Sequence, residues 1–209
     1  MNRSTAEEPP PPRYPGRLMA GLLAITLWGL ASTSIGWSGV ASHPAAKPPP
    51  AAGPRPDWRT PAERSDYRTT PGYEETIAYV RRIAAAAPRQ VRIETFGRSG
   101  EGRDLVAVLV ARDGVFDPGA LHRSGRPLVL IQNSIHAGEM DGKDACLALL
   151  RDLVVTKERA GLLKQAVLVV IPIYNVDGHE RSGPYNRINQ NGPQETGFRT
   201  QARNLNLNR

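Results

Sequence analysis

A single cysteine, Cys146, stands in 209 residues, so no disulfide can close within the chain and no thiolate cluster can hold a metal. Cys146 falls in register with Leu149, Leu150, Leu153 and Val154, the spacing of one helix face. It reads as a small core residue rather than a nucleophile, because no base is identifiable beside it. Dense basic runs are missing as well. The formal net charge is +7, but the Lys and Arg residues are scattered and no aromatic residues interleave them. That pattern indicates a solvated basic surface and no nucleic-acid partner. Histidine is scarce, with four in the chain. His43 and His122 fall in a linker and a loop, and His179 reads as a loop histidine beside an Asp-Gly turn.

Long apolar runs are confined to one place near the start. Residues 1–17 form a basic N-region with Arg3, Arg13 and Arg17, and residues 18–41 carry no charge around the apolar heart LMAGLLAITLWGLA. A positive start, an apolar middle and small residues up to Ala41 make a signal peptide, or a membrane anchor if the segment is retained. No lipid-modifiable cysteine lies near its end. The expected location is therefore outside the cytoplasm: periplasmic or secreted, with anchoring through residues 18–41 as the variant. Residues 42–65 read as a Pro/Ala-rich linker, since HPAAKPPPAAGPRP has too few large apolar side chains to offset the entropy of ordering.

Residues 66–209 carry the folded pattern. Thr70 and Pro71 predict the cap and first position of a helix with Tyr73, Ile77, Val80 and Ala84 on one face, ended by Pro88. QVRIETF and DLVAVLVA predict two strands joined by the glycine-rich turn GRSGEGR. That turn has no P-loop lysine and joins two strands, so it is not a phosphate loop. The apolar runs at 127–135 and 166–173 flank a helix from about residue 140 to 155. Strand, helix, strand with unpatterned apolar strands predicts an α/β fold: a mixed sheet with parallel central strands and helices on both faces. Sites in such sheets lie at the C-terminal ends of strands.

Two motifs lie at such ends. His136-Ala-Gly-Glu139 follows one strand and leads into a helix. An imidazole and a carboxylate three residues apart at such a corner can converge on one cation, and zinc accepts both ligand types. Read alone, the same residues make a helix N-terminus with a favourably placed acidic residue. Tyr174-Asn175-Val176-Asp177-Gly178 ends the next strand and alone reads as a turn. Phe198-Arg199 and Arg203-Asn-Leu-Asn-Leu-Asn208-Arg209 follow.

In this order and spacing, together with the early segment FGRSGEGRDL, the motifs from residue 67 to 209 resemble the zinc carboxypeptidase family of the carboxypeptidase A type. The resemblance implies one zinc ion with His136 and Glu139 as its first two ligands. It implies Arg199 as the cation that polarises the scissile carbonyl. Asn208 and Arg209 would hold the terminal carboxylate of a peptide substrate, a task suited to the planar arginine fork. The implied activity is zinc-dependent hydrolysis of a C-terminal peptide bond. The family's aspartate two residues before the Asn-Arg pair is Asn206 here, a weaker partner for a ligand histidine. The family's third zinc ligand and its catalytic glutamate have no matching positions in residues 1–209. The expectation is therefore an N-terminal fragment, incomplete at the C-terminus, inactive, and with an exposed sheet edge. Two other functions fit the residues: another zinc amide hydrolase acting on cell-wall peptides or N-acyl amino acids, and a non-catalytic module that binds carboxylates.

Overall fold

The computed structural model describes residues 56–209. The basic N-region, the apolar segment 18–41 and the linker up to residue 55 lie outside the described residues. Ordered structure begins before the expected domain start at residue 66. A short helix, α1 (Pro61–Arg64), opens on a reciprocal capping box in which Thr60 and Glu63 satisfy each other's backbone N–H groups.

The main helix α2 (Tyr73–Ala86) starts at Gly72, two residues later than Thr70 would set it. Thr70 is occupied elsewhere: its hydroxyl donates to Asp144 Oδ2 at 2.8 Å and accepts from Lys143 Nζ at 2.7 Å. The first N–H of α2, at Tyr73, donates instead to the carboxylate of Glu180, 2.9 Å away. Tyr73, Ile77, Tyr79, Val80 and Ile83 are buried, so the expected apolar face is the packed face.

Strands β1 (Val91–Arg98) and β2 (Asp104–Val110) form the antiparallel hairpin. A short helix α3 (Pro118–Ser124), capped by Asp117, contains His122, which therefore lies in a helix and not in a loop. Then come β3 (Leu128–Gln132), α4 (Asp141–Val154), a 3-10 turn at Ala160–Lys164, β4 (Val167–Ile171) and α5 (Val176–Glu180). The sheet order is β1-β2-β4-β3, with β3 and β4 parallel and the other pairs antiparallel. The fold is thus α/β with a mixed sheet, and the parallel pair occupies one side of it.

One face of the sheet presents Val106, Val108, Val110, Leu168 and Val170 to α2 and α4, which together with Leu147, Leu150 and Leu153 make the core. Cys146 belongs to that core, and burial pushes its thiol above the ordinary range. On the other side, β3 leaves Leu128 and Leu130 more than half exposed. Among the described residues no helix is long and apolar enough to cross a membrane.

Lys143, in the first turn of α4, is fully buried. Its ammonium donates to Thr70 Oγ1, to the Pro71 carbonyl at 3.0 Å and to Asp144 Oδ1 at 2.7 Å. Burial pulls its pKa down, opposed by the charge of Asp144. These bonds tie α4 to the entry of α2. Lys143→Ala is expected to cost about 3–5 kcal/mol in urea unfolding, because it strands Asp144 without its cation. Lys143→Met, which restores apolar bulk, should remain clearly destabilised; wild-type stability in that variant would remove the ion pair from the account.

Candidate metal centre

The parallel pairing of β3 and β4 continues beyond the strands themselves. Asn133 N–H donates to the Ile171 carbonyl, Tyr174 N–H to the Asn133 carbonyl and Asn175 N–H to the Ser134 carbonyl, all at 3.0–3.1 Å. These bonds hold the two motif-bearing loops side by side as they leave the strand ends. The Asn133 side chain adds a second bond to the Ile171 carbonyl.

His136 and Glu139 sit on a turn ahead of α4 rather than in its first helical turn. Glu139 N–H donates to the His136 carbonyl at 2.8 Å, which closes a four-residue turn and folds the two side chains together. His136 Nδ1 lies 3.2 Å from Glu139 Oε1. Zinc bonds to nitrogen and oxygen of about 2.0–2.2 Å at a tetrahedral angle place two ligand atoms about 3.3 Å apart. The observed spacing matches that edge of a zinc tetrahedron, and it is equally the spacing of a hydrogen bond between the two side chains. Among the described residues no group of three or more His, Cys, Asp and Glu side chains forms around a common point. His136 Nε2 is buried without a hydrogen-bond partner among the described residues.

Arg187 completes the local charge balance. Its Nη2 donates to Glu139 Oε1 at 2.9 Å, and its Nε to Gln190 Oε1 at 2.7 Å. Burial alone would raise the Glu139 carboxyl, but the bonds from Arg187 and His136 outweigh it and hold the group below the usual glutamate range. No sequence pattern singles out Arg187, which follows the Asp-Gly turn in a polar segment.

The second motif forms α5. Asn175 caps it, accepting from Gly178 N–H at 3.1 Å, while its amide donates to the Arg199 carbonyl at 3.0 Å. Asp177 is buried and takes three bonds from the β1–β2 turn: Ser99 Oγ at 2.7 Å, Glu101 N–H at 3.1 Å and Arg103 Nη1 at 3.0 Å. The glycine-rich turn does grip an anion, and that anion is Asp177.

His179 differs from expectation. It is buried inside α5 and not set in a loop. Its Nδ1 meets Glu180 Oε1 at 2.8 Å, and its Nε2 is buried without a partner among the described residues. Burial lowers its pKa, partly offset by Glu180. A cavity of about 590 Å³ is lined by His179, Glu180, Met140 and Glu195, but not by His136 or Glu139.

The motif segments meet through glycine. A Cβ on Gly138 would fall 2.8 Å from the Gly197 carbonyl oxygen, and one on Gly178 would fall 2.5 Å from both the Phe198 and Thr200 carbonyl oxygens. Phe198 N–H donates to the Gly178 carbonyl at 2.7 Å. The backbone of Arg199 is thereby fixed next to α5, while its guanidinium makes no hydrogen bond among the described residues. Asn208 and Arg209 are exposed. They lie on a turn built by Asn206, whose Oδ1 accepts Asn208 N–H at 3.0 Å and whose carbonyl accepts Arg209 N–H at 3.2 Å. Asn206 is thus engaged with its own turn.

The fold is α/β with a mixed sheet, and the His136–Glu139 pair lies in the loop that follows β3. Residues 76–209 match the zinc carboxypeptidase family, and the chain belongs to it. Mouse carboxypeptidase A6 is 25% identical over 127 residues, 59% of this chain and 27% of its own length. Mouse carboxypeptidase D is 26% identical over 135 residues, 63% of this chain and 9% of its own. The chain therefore spans about a quarter or less of these relatives. Carboxypeptidase A from Helicoverpa armigera superposes with a TM-score of 0.48 at 23% identity, over 55% of this chain and 26% of that one. A metallo-carboxypeptidase from Burkholderia cenocepacia gives 0.48 at 18% identity, over 66% and 32%.

The clamp on Asp177 is expected to hold the hairpin to α5. Asp177→Asn should lower stability by about 3 kcal/mol, the low end for breaking a buried pair, since Arg103 is partly solvated and keeps Glu101. Urea unfolding measures it; a loss under 1 kcal/mol would show that the clamp is not what secures α5.

Proposed function

We propose that this chain carries two zinc ligands, His136 and Glu139, and the carboxylate-binding segment of a metallocarboxypeptidase that hydrolyses the C-terminal peptide bond of its substrate. The 3.2 Å ligand-pair geometry on a main-chain turn carries the reading. Zinc bound there would polarise the scissile carbonyl and acidify its water. The turn holds the His136 and Glu139 backbones so that both side chains can reach one ion. Arg199, held by its carbonyl to Asn175, is the candidate to steady negative charge developing on the substrate oxygen. Asn208 and Arg209 project from the Asn206 turn into solvent and are the candidates for gripping a free terminal carboxylate. The uncharged apolar segment 18–41 supports export to the periplasm or the medium, as a cleaved signal or as an anchor.

Glu139→Ala in the full-length protein is expected to weaken zinc binding by more than about 100-fold, since even outer-shell losses cost 10–100-fold. A chelator-competition titration reads this directly, and unchanged zinc affinity would end the ligand assignment. Arg209→Ala should lower kcat/KM on peptides with a free C-terminus by about 30-fold, corresponding to about 2 kcal/mol for a lost charge-assisted contact. Equal cleavage of peptides with amidated and free C-termini by the unmutated enzyme would instead exclude exopeptidase action.

A further inference from the structure

Arg187 is bound on three sides at the metal pair. Its guanidinium reaches Glu139 Oε1, the oxygen that also faces His136 Nδ1. Its Nε is held by Gln190. Its aliphatic stem lies over Gly138, where an added Cβ would come within 2.5 Å of Cγ and 3.0 Å of Cδ. The arginine side chain is 18% exposed and that of Glu139 48%, so the guanidinium is largely buried while water partly screens the pair. A guanidinium and a metal ion directed at one carboxylate oxygen are rivals: each neutralises the same charge, and the two repel each other at such range.

We propose that Arg187 is a built-in competitor for Glu139 that sets how tightly the His136–Glu139 pair binds zinc. This rests on the reading of that pair as zinc ligands. Arg187 keeps the carboxylate paired and aimed, and zinc must displace or share its bond. The same contact that orders Glu139 thereby lowers zinc affinity, and Gln190 strengthens the competition by fixing the guanidinium.

The test is a zinc titration of the full-length, metal-stripped protein against a chromophoric chelator, with no activity readout. Arg187→Ala and Arg187→Gln are each expected to bind zinc about tenfold tighter than the unmutated protein, and Arg187→Lys within about threefold of it. Gln190→Ala, which leaves every proposed ligand in place, should tighten binding about two- to threefold. Unchanged or weaker zinc binding in both Arg187→Ala and Arg187→Gln overturns the competitor role while leaving the ligand reading intact. Zinc binding that survives Glu139→Ala at full strength overturns both. A folded state for each variant is verified by its circular dichroism spectrum; should Arg187→Ala fail to fold, Arg187→Gln and Gln190→Ala decide.

Discussion

Asp177 buries a carboxylate at 2% exposure, and removing such a group from water costs several kcal/mol unless donors replace the lost hydration. All three of its donors come from one turn, that of the β1–β2 hairpin. The carboxylate therefore fixes where the hairpin ends relative to α5, and with it the positions of Asn175, Gly178 and His179. Asn175 in turn caps α5 with one end of its amide and holds the Arg199 carbonyl with the other. Glu180 at the far end of the same short helix satisfies the first N–H of α2. A five-residue helix has little stability of its own. Here it is held by partners in the hairpin, in α2 and in the segment from Gly197 to Thr200.

The second constraint is steric. Gly138, Gly178 and Gly197 each stand where a side chain would strike the backbone of another motif segment. Backbones this close can trade hydrogen bonds directly, as Phe198 and Gly178 do. The three motifs, separated by as many as sixty residues in sequence, are brought together by absent side chains as much as by present ones.

This explains what was legible in the sequence and what was not. The hairpin and α4 are written in local periodicity, and the parallel pair in two unpatterned apolar runs flanking a helix. His136 and Glu139 could be singled out as candidates only through the order and spacing of the motifs that follow them, since alone they read as a helix N-terminus. Lys143 was not: within DGKDACLALL it reads as an ordinary helix charge, and its burial depends on Thr70 and Pro71, more than seventy positions away. Thr70 misled for the same reason, since a residue well suited to cap α2 is used to bind Lys143 and Asp144. His179 read as a loop residue because a five-residue helix leaves almost no periodic signal, and its burial comes from tertiary contacts. Arg187 had no signal at all, because only the fold places it beside Glu139. The glycine-rich turn was rightly separated from phosphate loops, yet its anion, Asp177, could be found only in three dimensions.

The arrangement at Glu139 balances order against affinity. A main-chain turn that brings the proposed ligand pair together removes part of the conformational cost of binding, which would favour a metal. An arginine on the same carboxylate acts the other way, since its bond must yield before the oxygen is fully available. The two effects need not cancel, because they act on different quantities. The turn sets how the two backbones stand to each other, and so places both side chains within reach of one point. The arginine changes the charge that a cation at this pair would meet. On the proposed ligand reading, the backbone bears on the spacing of the pair and Arg187 on the charge that a cation would meet.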